Sequence, residues 1–410
     1  AVSSDYAFTI NKASSTITAT GTVTYTYNGS AQGPSSNTKT GSSGAVTYSY
    51  SGTGTTSYGP SATLPIDAGT YKVVATLASD NNYDGAVSSD YAFTINKASS
   101  TIAATGTITY TYNGSSQGPS SNTKTGSSGA VTYSYSGTGT TSYGPSATLP
   151  TDAGTYKVVA TLAADANYDG AVSSDYAFTI NKASSTIAAT GTTTYTYNGS
   201  TQGPSSNTKT GSTGAVTYSY SGTGSTTYGP SATAPTDVGT YKVVATLAAD
   251  ANYDGAVSSD YAFTINKASS TITATGTVTY TYNGSAQGPS SNTKTGSTGA
   301  VTYSYSGTGT TTYGPSATLP TDAGTYKVVA TLASDNNYDG AVSSDYAFTI
   351  NKASSTITAT GTVTYTYNGS TQGPSSNTKT GSTGAVTYSY SGTGSTTYRS
   401  EEHTSELQSH

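Results

Sequence analysis

Along residues 13–97 apolar and polar positions alternate in short runs, the pattern of strands with one buried face. Ser15–Thr20 is a short Thr-rich run. Val23–Tyr27 places Val23, Tyr25 and Tyr27 on one face, and Ala45–Ser51 does the same for Val46, Tyr48 and Tyr50. Tyr71–Leu77 aligns Tyr71, Val73, Ala75 and Leu77, and Asp90–Ile95 aligns Tyr91, Phe93 and Ile95. Gly52-Thr53-Gly54 and Gly59-Pro60 punctuate the runs. Asn28-Gly29 predicts a type I′ hairpin, because both residues tolerate the positive φ such a turn needs. About seven short strands separated by Gly, Pro and Asn turns predict an all-β sandwich.

The segment Asp67-Ala68-Gly69-Thr70-Tyr71 has the pattern of the corner that precedes strand F in immunoglobulin-like domains. There a Tyr hydroxyl bonds back to upstream backbone. The pattern recurs at Asp152/Gly154/Tyr156, Asp237/Gly239/Tyr241 and Asp322/Gly324/Tyr326. The expected fold is therefore a tandem array of immunoglobulin-like β-sandwich domains.

The array follows from self-similarity. The string Ala-Val-Ser-Ser-Asp-Tyr-Ala-Phe-Thr-Ile-Asn-Lys begins at Ala1, Ala86, Ala171, Ala256 and Ala341, a period of 85 residues. That period is too long for a solenoid unit and suits a small domain. Residues 13–97 and 268–352 differ only at Ser43/Thr298, Ser57/Thr312 and Ile66/Thr321. Residues 1–12 are read as the last strand of a truncated upstream repeat. Repeats 1 to 4 are 13–97, 98–182, 183–267 and 268–352, and 353–398 is an incomplete fifth, expected to fray or aggregate. Residues 399–410 break the repeat and hold the chain's only Arg, its two His and its three Glu. They resemble a translated sequencing adapter, and a non-native tail is expected. The absence of Met predicts a fragment or a processed product.

Composition narrows the function. Cys is absent, which removes disulfides and thiolate metal sites. Charged residues make up 9% and the net charge is −5, so no basic face for nucleic acid is expected. No apolar run approaches the ~20 residues of a membrane span, and no signal peptide is visible. Repeat 1 holds eleven Leu, Ile, Val and Phe but eight Tyr. The Tyr stripes must therefore serve as core, with Tyr58, between Gly-rich turns, the candidate for an exposed ring.

Candidate chemistry is sparse. The repeats contain no His, Cys, Glu or Arg, so no catalytic residue and no cofactor are assigned. Asp80-Asn81-Asn82-Tyr83-Asp84-Gly85 fits the first half of an EF-hand-type calcium loop, but Tyr91 stands where the bidentate Glu belongs. No metal ligand is assigned, and calcium at the Asp80–Gly85 loops is left open against an ordinary polar turn. Asn28-Gly29-Ser30 fits a glycosylation sequon, which the turn reading already explains. Lys72 with Asn96 as an isopeptide pair, and the Thr-rich strands as an ice-binding face, both lack the surroundings they require.

Taken together, Tyr25–Pro34, Ala45–Tyr50, Asp67–Tyr71, Asn82–Gly85 and Phe93–Lys97 resemble the MBG-type repeat domains of large bacterial surface proteins. The resemblance covers residues 1–398. It implies a secreted or cell-surface, adhesin-like protein in which many copies form a stalk, with no catalytic residues to carry over. A β-grasp-like arrangement is the alternative fold, disfavoured by the shortage of helix formers. Junctions such as Ile95–Ile102 contain no Gly or Pro, which predicts a semi-rigid, monomeric rod. The expected function is a non-catalytic stalk or spacer. The alternative is a weak multivalent binding module that contacts glycan or host protein through exposed Tyr.

Overall fold

The computed structural model describes residues 1–392; the expected tail at 399–410 lies outside the described residues. Repeat 1 folds into seven strands: β1 (Thr16–Thr20), β2 (Thr24–Thr26), β3 (Ser36–Thr40), β4 (Val46–Gly52), β5 (Gly69–Leu77), β6 (Ala86–Val87) and β7 (Tyr91–Asn96). The same seven elements recur in repeats 2 to 4. The chain divides into two compact units, one of residues 1–190, 206–218 and 244–259, the other of 191–205, 219–243 and the residues from 260 on. Repeats 1 and 2 lie wholly within the first, and repeat 4 lies wholly within the second.

Two sheets form each repeat. β1 pairs antiparallel with β3 in a two-stranded sheet, and the second sheet runs β2-β7-β5-β4, with β6 on β5. β2 pairs with β7 in parallel, while β5 pairs antiparallel with both β4 and β7. This is the immunoglobulin-like arrangement with one hairpin missing: residues 53–68 carry the chain from β4 to β5 with no named strand where the D and E strands would stand. The outer edge of β3 therefore has no partner strand among the described residues. The residues β3 sets opposite Ala19 and Ile17 are polar, Asn37 donating to the Tyr48 hydroxyl (2.7 Å) and the Lys39 ammonium to the Gly44 carbonyl (3.0 Å). Lys39 is exposed, and a charged side chain on a short strand blunts an open edge against pairing with another chain.

The core sits between the sheets. Ile17 and Ala19 of β1 meet Tyr50, Tyr71, Val73, Ala75, Leu77, Phe93 and Ile95. Phe93 is its hub, stacked on Tyr71 (ring centroids 5.4 Å apart) and met edge-on by Tyr25 and Tyr50 at 6.1 and 6.3 Å. Tyr thus supplies the volume that eleven aliphatic and Phe residues cannot. A buried Tyr needs a partner for its hydroxyl. Tyr50 donates to the Pro34 carbonyl (3.0 Å) and Tyr71 to the Asp67 carbonyl (2.7 Å). The latter is the expected corner, and it recurs at Tyr156, Tyr241 and Tyr326. Tyr58, the expected exposed ring, is instead half-buried. It packs edge-on against Tyr71 at 5.8 Å and donates to the Thr63 carbonyl (2.8 Å).

The expected Asn28-Gly29 hairpin is not formed. β2 joins the large sheet and β3 the small one, so the segment between them crosses from sheet to sheet. Only Gly29 has positive φ (77°), whereas a type I′ turn needs it at Asn28 as well. The Asn28 amide oxygen accepts instead from the Ser30 N–H (2.9 Å).

Two segments show what the strands depend on. Residues 1–12 repeat the string that ends each complete repeat, yet they carry no strand and lie exposed, Phe8 at 77% against 3% for Phe93. In the fifth repeat Thr356–Thr360 still pairs with Ser376–Thr380. Among the described residues, 364–366 and 386–392, the counterparts of β2 and β4, carry no strand.

Burial, followed by the Asp67 carboxylate and the Tyr58 ring, pushes the Tyr71 phenol above its ordinary value of 10.0; burial does the same for Tyr50. The fold holds these groups neutral where the unfolded chain ionises them, so their stabilising contribution is whole below pH 10.0 and is lost as the pH climbs through the raised values. The urea midpoint of the chain is expected to hold steady from about pH 7 to 9 and to fall above about pH 10. A midpoint that stayed flat through strongly alkaline solution would mean that these phenols are solvated in the fold.

Candidate functional site

The feature that sets this chain apart is the junction between repeats. The residues on both sides of each junction belong to the same compact unit. The site is built from the Asp80 loop and the Asp67 corner, the two acidic motifs of the sequence.

The loop is locked by its first carboxylate. Asp80 Oδ2 accepts from the Ser43 N–H (2.7 Å) and hydroxyl (2.9 Å), and Oδ1 accepts from the N–H groups of Asn82 and Tyr83, both 2.9 Å. These bonds, the Ser43 N–H first and the Asn82 N–H next, hold the carboxyl well below the ordinary carboxylate range. Asp165, Asp250 and Asp335 repeat the arrangement and the shift. Gly85 closes the loop where a Cβ would lie 2.5 Å from the Leu77 carbonyl oxygen. The start of the repeat is stitched to the same loop, Ala13 donating to the Asn82 carbonyl and Asp84 to the Ala13 carbonyl.

This locked loop presents an Asn to the preceding repeat. Asn167 Oδ1 accepts from the Ala68 N–H (2.8 Å), and its Nδ2 donates to Asp67 Oδ1 (3.0 Å). Asn252 does the same to Ala153 and Asp152, and Asn337 to Val238 and Asp237. A second attachment runs from Lys97, whose ammonium donates to the Asp165 carbonyl (2.5 Å), with Lys182 and Lys267 in the same role. A third is aromatic: Tyr27 meets Tyr168 edge-on at 5.3 Å, as Tyr112 meets Tyr253 and Tyr197 meets Tyr338. Burial tracks these contacts. Tyr83 is 36% exposed in the first repeat, while Tyr168, Tyr253 and Tyr338 are half-buried; Tyr282, which no complete repeat follows, is 43% exposed.

Oxygens of the calcium-like motif take part in these contacts. The oxygens of Asp165 are taken by Ser128 and by its own loop, and the Asn167 oxygen is aimed at Ala68. Lys72 is paired with Asp90 (2.9 Å) at the surface, not with Asn96. Around the third junction the surface opens into a cleft of about 420 Å³ lined by Asp237, Val238, Lys267, Asp335, Asn336 and Asn337. Sequence reasoning assigned Asn82 and its equivalents to a loop and missed the reach of Asn167, Asn252 and Asn337 into the neighbour. Their fixed spacing from the corner Asp was the available signal.

A family model described as MBG domain matches residues 13–99, 100–184, 185–269 and 270–354. No curated protein matches the chain. Among solved structures the chain is similar to Drosophila N-cadherin EC1-4, at 8% identity and a TM-score of 0.21, covering 75% of this chain and 92% of that one. It is also similar to a SusE-like, surface located polysaccharide binding protein from the Bacteroides thetaiotaomicron heparin utilisation locus. There the identity is 10%, the TM-score 0.16, and the coverage 82% of this chain and 72% of that one. Both are distant, and the fold assignment rests on the strand pairing described above.

Changing Asn167, Asn252 and Asn337 together to Ala in the full chain is expected to cost about 1–3 kcal/mol per junction. The repeats should then unfold less cooperatively, read as a shallower urea transition at a lower midpoint. An unchanged transition would show that the junctions are held by the Lys and Tyr contacts alone.

Proposed function

Because the chain belongs to the MBG domain family, matched over four successive repeats, we propose that it is a non-catalytic stalk of a bacterial cell-surface or secreted adhesin. Its repeats hold a distal binding region away from the cell. The observation that carries this reading is the junction. Three separate contacts, a bidentate Asn, a Lys and a Tyr pair, flank a covalent link without Gly or Pro, and all three junctions repeat them. Separated attachments oppose bending and twisting where one linker would allow both. The four-fold copying of one domain adds length without adding chemistry. Low charge and the absence of Cys suit an extracellular location.

The alternative, weak multivalent binding of glycan or protein through Tyr, receives less support. The rings that would form a binding row are spent in the core, as Tyr50 and Tyr71 are, or between repeats, as Tyr27 and Tyr168 are.

Small-angle scattering of residues 13–352, first with calcium and then with chelator, tests the stalk. An elongated particle with a maximum dimension on the order of 120–160 Å in both conditions is expected. A compact particle, or one that becomes flexible when calcium is removed, would overturn the calcium-independent stalk.

A further inference from the structure

We propose that the Asn-Gly turns of the array are sites of self-modification, at which the folded protein converts Asn28, Asn113, Asn198, Asn283 and Asn368 to aspartate or isoaspartate through a cyclic imide. The proposal stands apart from the stalk reading and rests on the geometry of one turn found five times.

Three features of that turn favour the reaction. The first is the electrophile. In every copy the Asn amide oxygen accepts the main-chain N–H of the Ser two residues on, at 2.9–3.0 Å. That bond polarises the amide carbonyl and is in place to stabilise the oxyanion that forms when Cγ is attacked, as backbone donors do in acyl-transfer sites. The second is the nucleophile. The Gly29 N–H has no main-chain or side-chain acceptor among the described residues, so its nitrogen is free to lose a proton and attack. The third is space. Gly29 sits at φ 77°, with its equivalents at 78–80°, and a Cβ built on any of them would touch nothing within 4 Å. The left-handed φ is also why Gly stands there at all. The fold that demands Gly after Asn supplies the unhindered nitrogen.

The step balances without a co-reactant other than water. The Gly29 nitrogen, having lost its proton, bonds to Asn28 Cγ; the bond from Cγ to Nδ2 breaks, and ammonia leaves carrying that proton. Water then opens the imide at one of its two carbonyls. Opening at one gives aspartate, and opening at the other gives isoaspartate, with an extra methylene in the main chain. The other Asn of a repeat lack this combination. Asn37 precedes Thr and donates to Tyr48, Asn81 and its copy Asn336 precede Asn, Asn82 precedes Tyr, and Asn96 precedes Lys at the end of its strand. The five turns are exposed and lie between strands, so conversion leaves the core and the junctions untouched. Full conversion would double the present net charge of −5.

The test is incubation of the full chain under native, mildly alkaline conditions, read by isoelectric focusing and peptide mass mapping. A ladder of five single-charge steps is expected, with the mass change confined to the five Asn-Gly sites. Conversion in the folded chain should be at least as fast as in a free peptide of the sequence Tyr25–Gly33. The variant with Asn28→Gln and the same change at Asn113, Asn198, Asn283 and Asn368 should show no ladder. Slower conversion in the folded chain than in the peptide, or a mass change spread over Asn37, Asn81, Asn82 and Asn96, would overturn the proposal. So would a ladder that persists in the Gln variant.

Discussion

The turn from Asp67 to Tyr71 is the constraint on which the rest of the structure hangs. Its Tyr hydroxyl closes the turn on the Asp67 carbonyl, and its ring stacks on Phe93, the hub of the core. The closed turn fixes the entry of β5, the strand that pairs with both β4 and β7. Gly69 is required in it, since a Cβ there would lie 2.8 Å from the Thr56 side chain. The face of the turn that looks outward offers an N–H and a carboxylate side by side, which the Asn of the next repeat takes together. One five-residue motif thus ends in a core contact on one side and a junction contact on the other.

Identical sequence in different surroundings separates intrinsic preference from context. The string at residues 1–12 is a strand wherever β5 lies beside it and is none where β5 is missing. The β1–β3 pair behaves otherwise, forming in the fifth repeat without the large sheet. Its rungs hold through backbone pairing and a Thr–Thr hydroxyl contact on the outer face, present at Thr16 and Thr40 and again at Thr356 and Thr380. The price is exposure: Ile357 is 56% exposed where Ile17 is 6%. Strand formation here is a property of the pair, and burial is a property of the sandwich.

Much of this was legible in the residues. Alternation located β4, β5 and β7 to within a residue or two, because one buried face leaves a period of two. The corner motif located the Tyr hydroxyl bond, because few other arrangements place Gly and Tyr at that spacing before a strand. β3 was not legible. Ser36–Thr40 has no apolar residue, since the positions it sets opposite Ala19 and Ile17 are the polar Asn37 and Lys39 of an edge strand. The Asn28-Gly29 turn was misread because a hairpin signal says nothing about which sheet each arm will join. The junction escaped because its contacts join residues about a hundred positions apart.

The central claim is that the corner of one repeat is the docking post of the next. Amide exchange at the corner, followed by NMR in a segmentally labelled full chain, tests it most directly. Ala68, Ala153 and Val238 each donate their N–H across a junction, whereas the sequence gives Ala323 no such Asn in the repeat that follows. Residues 67–71, 152–156 and 322–326 are otherwise the same Asp-Ala-Gly-Thr-Tyr. The account predicts protected amides at Ala68, Ala153 and Val238 and rapid exchange at Ala323. It also predicts that Tyr71→Phe releases Ala68 alone. Equal exchange at all four positions, or protection of Ala68 that survives the loss of the Tyr71 hydroxyl, would contradict it.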